Sequence, residues 1–239
     1  YEFQAIDRPL TLSEQRAVAK LSSRVEPHPR RAIFIYNWSS LPAQAEDLVA
    51  KYYDAMVYLA NWGSRQLIFR FPEHLVYAEA MRQYDVVSRS AGSEGNVTLT
   101  HRNGYALLNL QLHEHEGLGW VDGEGWLDRL LPIRDEILRE DYRALYLAWL
   151  KGLTLAWELD LHAQEPPVPP GLGDLTPAQE AFVEFFELDQ DLLEVAAEAS
   201  PARDADRQPE VVRTAISELP VEEKEAFLCF REGKLIYAS

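Results

Sequence analysis

Asn103-Gly104 lies between two alternating runs, Asn96 to Thr100 and Ala106 to Leu112, and this arrangement constrains the fold more than any other feature of the chain. A two-residue reversal needs positive φ at both central positions, which Asn and Gly adopt at low cost. The spacing therefore predicts a β-hairpin over 96–112, with Arg102 opposite Tyr105 and His101 opposite Ala106. In that register His101 shares a face with Leu108 and Leu110. His113 and His115 continue the other face, with Asn109 and Gln111.

The residues before the hairpin read as alternating strands and helices. Tyr1 to Ile6 is an apolar, aromatic run typical of a first strand. Thr11 and Glu14 form a capping-box pattern ahead of the stripe Leu12, Ala17, Val18 and Leu21. Arg31 to Trp38 is rich in Ile, Phe and Tyr and reads as a second strand. Pro42 opens a helical segment in which Ala45, Leu48, Val49, Tyr52, Met56 and Leu59 recur at three- and four-residue steps. Gln66 to Phe71 gives a third strand, and Pro72 starts a helix over Glu73 to Gln83. This order predicts a mixed β-sheet with flanking helices over residues 1–117.

After Gly117 the character changes. Gly117, Gly119, Gly123 and Gly125, interspersed with Asp122 and Glu124, read as a connector; its carboxylates would repel a phosphate, so it is not a phosphate loop. Trp126 to Leu138 reads as one helix bent at Pro132, and Asp141 caps a strongly apolar helix running to Trp157. Residues 166–171 form a stiff proline-rich joint. Thr176-Pro177-Ala178-Gln179 is a helix start, and further helices are expected over 189–199, 211–219 and 222–230. The fold class is α+β: an amino-terminal sheet domain over 1–117, then a mainly helical domain over 126–239.

Charge separates the same two parts. The net charge is -16; residues 1–120 carry 12 basic and 13 acidic side chains, whereas 121–239 carry 11 and 26. Such a field repels a phosphate backbone, so a nucleic-acid partner is not expected. Arg24, Arg30 and Arg31 are the only tight basic group, and they read as a solvated loop before a strand. The single cysteine, Cys229, sits among Phe227, Leu228 and Phe230 as a small apolar side chain, and allows no intrachain disulfide. No apolar run approaches the ~20 residues that span a bilayer, so no membrane association is expected and the cytoplasm is the expected location.

The most conspicuous local pattern is His113-Glu114-His115-Glu116. Two imidazoles at i,i+2 on a strand point the same way with Cα atoms about 7 Å apart, a spacing that can hold zinc or can simply be a solvated strand end. A metal-dependent hydrolase using His113 and His115 is one reading, although the hairpin register separates them from His101. Asp122 and Glu124 could serve as an acid–base pair or as a solvated turn. No nucleophile elbow, dinucleotide fingerprint, Walker loop or calcium loop is present in the sequence, and no cofactor is expected. Trp120, Trp126, Trp149 and Trp157 cluster in the chain. They read either as core against the sheet or as the lining of an apolar protein-interaction groove.

The segments Tyr1 to Thr11 (YEFQAIDRPLT), Tyr58 to Gly63 (YLANWG) and Pro167 to Gly173 (PVPPGLG) resemble a group of bacterial proteins to which no activity is assigned. The resemblance covers most of the length. It implies a bacterial cytoplasmic protein and carries no site residue. Together these features favour a non-enzymatic interaction or regulatory module whose acidic half engages another protein with a basic or apolar contact surface; a structural subunit of a larger assembly is the other non-catalytic reading.

Overall fold

The structure is a computed structural model that describes residues 1–22, 25, 27–36, 41–61, 63–87, 95–113, 123, 125–155 and 165–203. It is α+β. The strands are β1 (Glu2–Gln4), β2 (Arg31–Ile33), β3 (Ala55–Leu59), β4 (Ser64–Pro72), β5 (Val86–Val87), β6 (Gly95–Arg102) and β7 (Tyr105–His113). The helices are α1 (Leu12–Ala19), α2 (Ala45–Lys51), α3 (Ala78–Arg82), α4 (Trp126–Leu130), α5 (Pro132–Leu138), α6 (Arg143–Leu155), α7 (Pro177–Phe186) and α8 (Gln190–Ala199), with a 3-10 turn at Glu73–Leu75.

The seven strands form one sheet in the order β2-β1-β3-β4-β7-β6-β5. Every pairing is antiparallel, which corrects the mixed sheet expected from the apparent βαβ order. The reason is local. The segment expected to continue as helix through Leu59 stops at Lys51, and β3 then turns directly into β4 through Ala60–Gly63, where Gly63 takes φ 95°. So short a connection can join only antiparallel neighbours, because a parallel pair needs a crossover of a dozen or more residues.

The Asn-Gly hairpin forms as expected. Asn103 and Gly104 take φ 55° and 79°, Arg102 pairs with Tyr105, and His101 pairs with Ala106. The capping boxes at Thr11/Glu14 and Thr176/Gln179 both form, and Asp189 caps α8 by accepting from the amides of Asp191 and Leu192. The Trp126–Leu138 segment breaks at Pro132 into α4 and α5.

Both sheet faces are covered. Leu67, Phe69, Phe71, Val97, Leu108, Leu110 and Leu112 face a large core shared with α4, α5, α6 and α7. Phe3, Ala32, Phe34, Met56 and Ile68 face a smaller core closed by Val18 of α1 and Leu48 and Val49 of α2. Residues Tyr1–Pro201 form one compact unit. The change of composition at 117–126 therefore does not divide two cores: helices α4 to α7 bury their apolar faces on the sheet. The helices expected over 211–219 and 222–230, and Cys229, lie outside the described residues.

Candidate functional site

The turn after the prolines (Leu172 to Leu175), α7 and α8 surround an open groove of about 540 Å³. Its floor is apolar, from Leu172 and Leu175 after the prolines, Val183 of α7, and Leu193 and Ala197 of α8; its rim carries Glu180, Glu184 and Glu194. α8 reaches the large core only along one edge, through Ala196 with partly buried Leu192, Leu193 and Ala197, and Val195 stays exposed. An amphipathic helix held along one edge leaves apolar surface beside it.

The angle between α7 and α8 is set by a pinned turn. α7 ends at Glu187 in the left-handed conformation (φ 49°), and the Leu188 amide returns to the Val183 carbonyl at 3.1 Å. A left-handed non-glycine residue costs roughly 1–2 kcal/mol. Two buried cations hold it there: Arg65 Nη2 donates to Glu187 Oε1 at 2.7 Å, and Lys151 Nζ donates to the Glu187 carbonyl at 2.9 Å. The amino end of α7 is tied to α5, since Glu136 accepts from Thr176 Oγ1 at 2.7 Å and from Gln179 Nε2 at 2.8 Å.

Electrostatics across the groove are one-sided. Residues 176–199 contain seven carboxylates and no Lys, Arg or His. Glu184 pairs with Arg129 of α4, and that hydrogen bond lowers its pKa below the usual carboxylate value. Glu180 and Glu194 make no ion pair among the described residues.

The tryptophans take other places. Trp149 is buried in the large core with its ring 5.6 Å from Tyr146, and Trp126 packs on Phe185 at 5.1 Å with Arg129 over its own ring at 4.6 Å. Neither lines the groove, and Trp120 and Trp157 lie outside the described residues. The nearest sequence sign of the groove is the stripe Leu192, Leu193, Val195 and Ala196 within a run that has carboxylates and no cations.

Of the histidine pair, His113 is described by its backbone alone, at the end of β7 opposite Ser64; His115, Asp122 and Glu124 lie outside the described residues. Among the described residues no group of three His, Cys, Asp or Glu could hold a metal ion. His101 is engaged elsewhere, with Nδ1 3.0 Å from Glu73 and Nε2 2.9 Å from Arg82 Nη2. Arg30 is exposed and Arg31 partly so, as expected of a solvated loop before a strand, and Arg24 lies outside the described residues; both described arginines nevertheless have partners. Arg30 donates to the Ala5 and Ile6 carbonyls at 3.0 and 2.7 Å, and Arg31 pairs with Glu2 at 2.8 Å.

A second recess, of about 510 Å³, opens beside the hairpin turn between Pro72, Leu75, Tyr105, Arg134 and Leu138, with Asp7 and His74 at its margin. Behind it lies a charge network that no sequence pattern indicated, in which Asp54, Arg70 and Arg134 are buried and Asp7 reaches the surface. Asp54 accepts from the Ile6 and Asp7 amides at 2.6 and 3.0 Å and from Arg70 Nε and Nη2 at 3.0 and 2.5 Å. Arg134 donates from Nε to the Arg70 carbonyl at 3.0 Å and from Nη2 to both Asp7 oxygens at 2.9 and 3.0 Å. Burial raises the Asp7 pKa despite the adjacent Arg134. Each carboxylate here already has its cation, so the network serves to anchor residues 6–7 to β4 and α5.

No family model, curated protein or solved structure matches this chain. Among the described residues no helix is long and apolar enough to cross a membrane.

Proposed function

We propose that this chain is an interaction module of a bacterial cytoplasmic protein, and that the groove between α7 and α8 receives a basic amphipathic helix from another protein. The observation that carries the reading is an apolar floor bordered by Glu180, Glu184 and Glu194 in a segment without a cation. Helix-in-groove recognition uses this combination: apolar anchors at i, i+3 and i+4 supply affinity, and opposite rim charges steer the approach and fix the orientation. A helix that carries Leu on one face and Lys or Arg on its flanks matches both features.

The test uses a fluorescently labelled amphipathic peptide of alternating Leu and Lys in helical register, titrated with the full chain. Binding near about 10 µM at about 50 mM salt is expected, weakening several-fold at physiological ionic strength. Reversing Glu180 and Glu194 to Lys should weaken it about tenfold, because both leave the attractive rim and add repulsion. Equal affinity for the reversed protein, or no binding below about 1 mM, would contradict the reading.

A further inference from the structure

We propose that the free edge of β2 pairs antiparallel with the same edge of a second copy of this chain, extending the sheet across a two-fold axis. The backbone fixes which groups are available. Tyr1 and Phe34 exchange both hydrogen bonds, at 2.8 and 2.9 Å, and the Ala5 amide donates to the Arg30 carbonyl at 2.8 Å. With Phe3 opposite Ala32, residues 30, 32 and 34 therefore turn their amides and carbonyls toward β1, and residues 31, 33 and 35 turn theirs outward.

β2 is the last strand of the sheet, and among the described residues no other strand covers that edge. The outward carbonyl of Arg31 is already used by the His28 amide at 2.8 Å, which leaves Ile33 and Ile35. Both side chains are exposed, at 39% and 69%, whereas Ala32 and Phe34 between and beside them are buried. An open edge with apolar side chains is a template for strand addition unless charge or proline guards it, and neither does at these two positions.

The occupant follows from register and charge. An antiparallel partner must place outward-facing residues opposite outward-facing residues. With two such residues free, the self-complementary register sets Ile33 against Ile35 of the other copy and Ile35 against Ile33, with the two Phe34 residues at the axis. That arrangement makes four backbone hydrogen bonds and two cross-strand isoleucine pairs, and it is isologous, as a two-fold contact requires. Residues 1–120, which contain the edge, carry 12 basic and 13 acidic side chains in a chain of net charge -16, so two copies meet here with little repulsion. This contact is independent of the groove.

A ladder this short buries far less than the ~1,600 Å² of a standard interface, so dissociation constants of about 10–100 µM are expected. The test is sedimentation equilibrium of the full chain from about 5 to about 500 µM at about 0.15 and 0.5 M salt, where the wild type should pass from monomer to dimer. Ile33→Pro removes an amide that bonds to nothing among the described residues, so the fold should be retained while the ladder is blocked. Ile35→Lys places a charge on the edge. Each should weaken dimerisation at least about tenfold, with unchanged far-ultraviolet circular dichroism; if the proline variant loses its fold, the lysine variant decides. A wild type that stays monomeric throughout would overturn the proposal and leave the edge for a strand of a different protein. Dimers equally strong in Ile35→Lys would overturn it as well.

Discussion

Two charged regions of the described chain use charge in opposite ways. Around Asp54, Arg70, Arg134 and Asp7 every carboxylate has a guanidinium, and Asp54 also accepts two backbone amides. Along α7 and α8 the carboxylates outnumber their partners: Glu184 has Arg129, Glu187 has Arg65, and no cation lies within 176–199 itself. Buried charge has to be matched inside the protein because desolvation is too costly otherwise. Charge left unmatched at the surface costs little in stability and remains free to act on a partner. The first region should therefore respond to mutation in stability, and the second in binding.

The largest expected effect is at Asp54. Asp54→Ala leaves buried Arg70 without its carboxylate and strands the Ile6 and Asp7 amides, and it should destabilise the fold by about 3–5 kcal/mol in chemical denaturation. Glu194→Lys, by contrast, should change stability by less than about 0.5 kcal/mol while weakening the basic peptide. A stability loss at Glu194 comparable with that at Asp54 would erase the distinction.

Next in size is Thr176→Ala. It removes the capping hydroxyl of α7 and its hydrogen bond to Glu136, at a cost of about 1–2 kcal/mol, and should loosen the groove wall so that peptide affinity falls with stability. Thr11→Ala removes an equivalent cap on α1, from which only Val18 is buried, and should cost about 1 kcal/mol without affecting the peptide. Matched affinities in the two variants would mean that α7 does not form the binding wall.

The smallest effect concerns Asp85, whose pKa is pushed from 3.8 up to about 6 by burial. Because the folded chain holds this proton more tightly than the unfolded one, the contribution is favourable at low pH and is lost as pH rises through the interval between the two values. Asp85→Asn should therefore stabilise the protein at pH 7 by about 1 kcal/mol, a figure reduced from the full shift because the carboxyl is partly exposed, and should have no effect near pH 3.5. Denaturation midpoints of the pair at the two pH values check the sign.

Much of the local structure was legible because it depends on neighbours in sequence: the Asn103-Gly104 turn and the Thr11/Glu14 and Thr176/Gln179 boxes all formed where their residues sit. β3 was not, for a physical reason. Ala55, Met56 and Val57 are buried against helices on alternate faces of the sheet, so the strand shows no polar alternation, and Tyr52, Met56 and Leu59 mimic helical spacing. The groove was illegible for another reason: its walls come from segments whose approach is set by the pinned turn at Glu187, through Arg65 and Lys151 more than thirty residues away in sequence. Tryptophans drew attention as groove candidates by their chemistry, but Trp149 is spent on the core.

Hydrogen exchange of the full chain with and without the Leu/Lys peptide shows directly which surface the peptide covers. Slowed exchange is expected in residues 172–197, greatest around Val183 and Leu193, with none in β4 or β7. Protection confined to the hairpin or to the edge strand β2, or no protection at a peptide concentration that saturates binding, would contradict it.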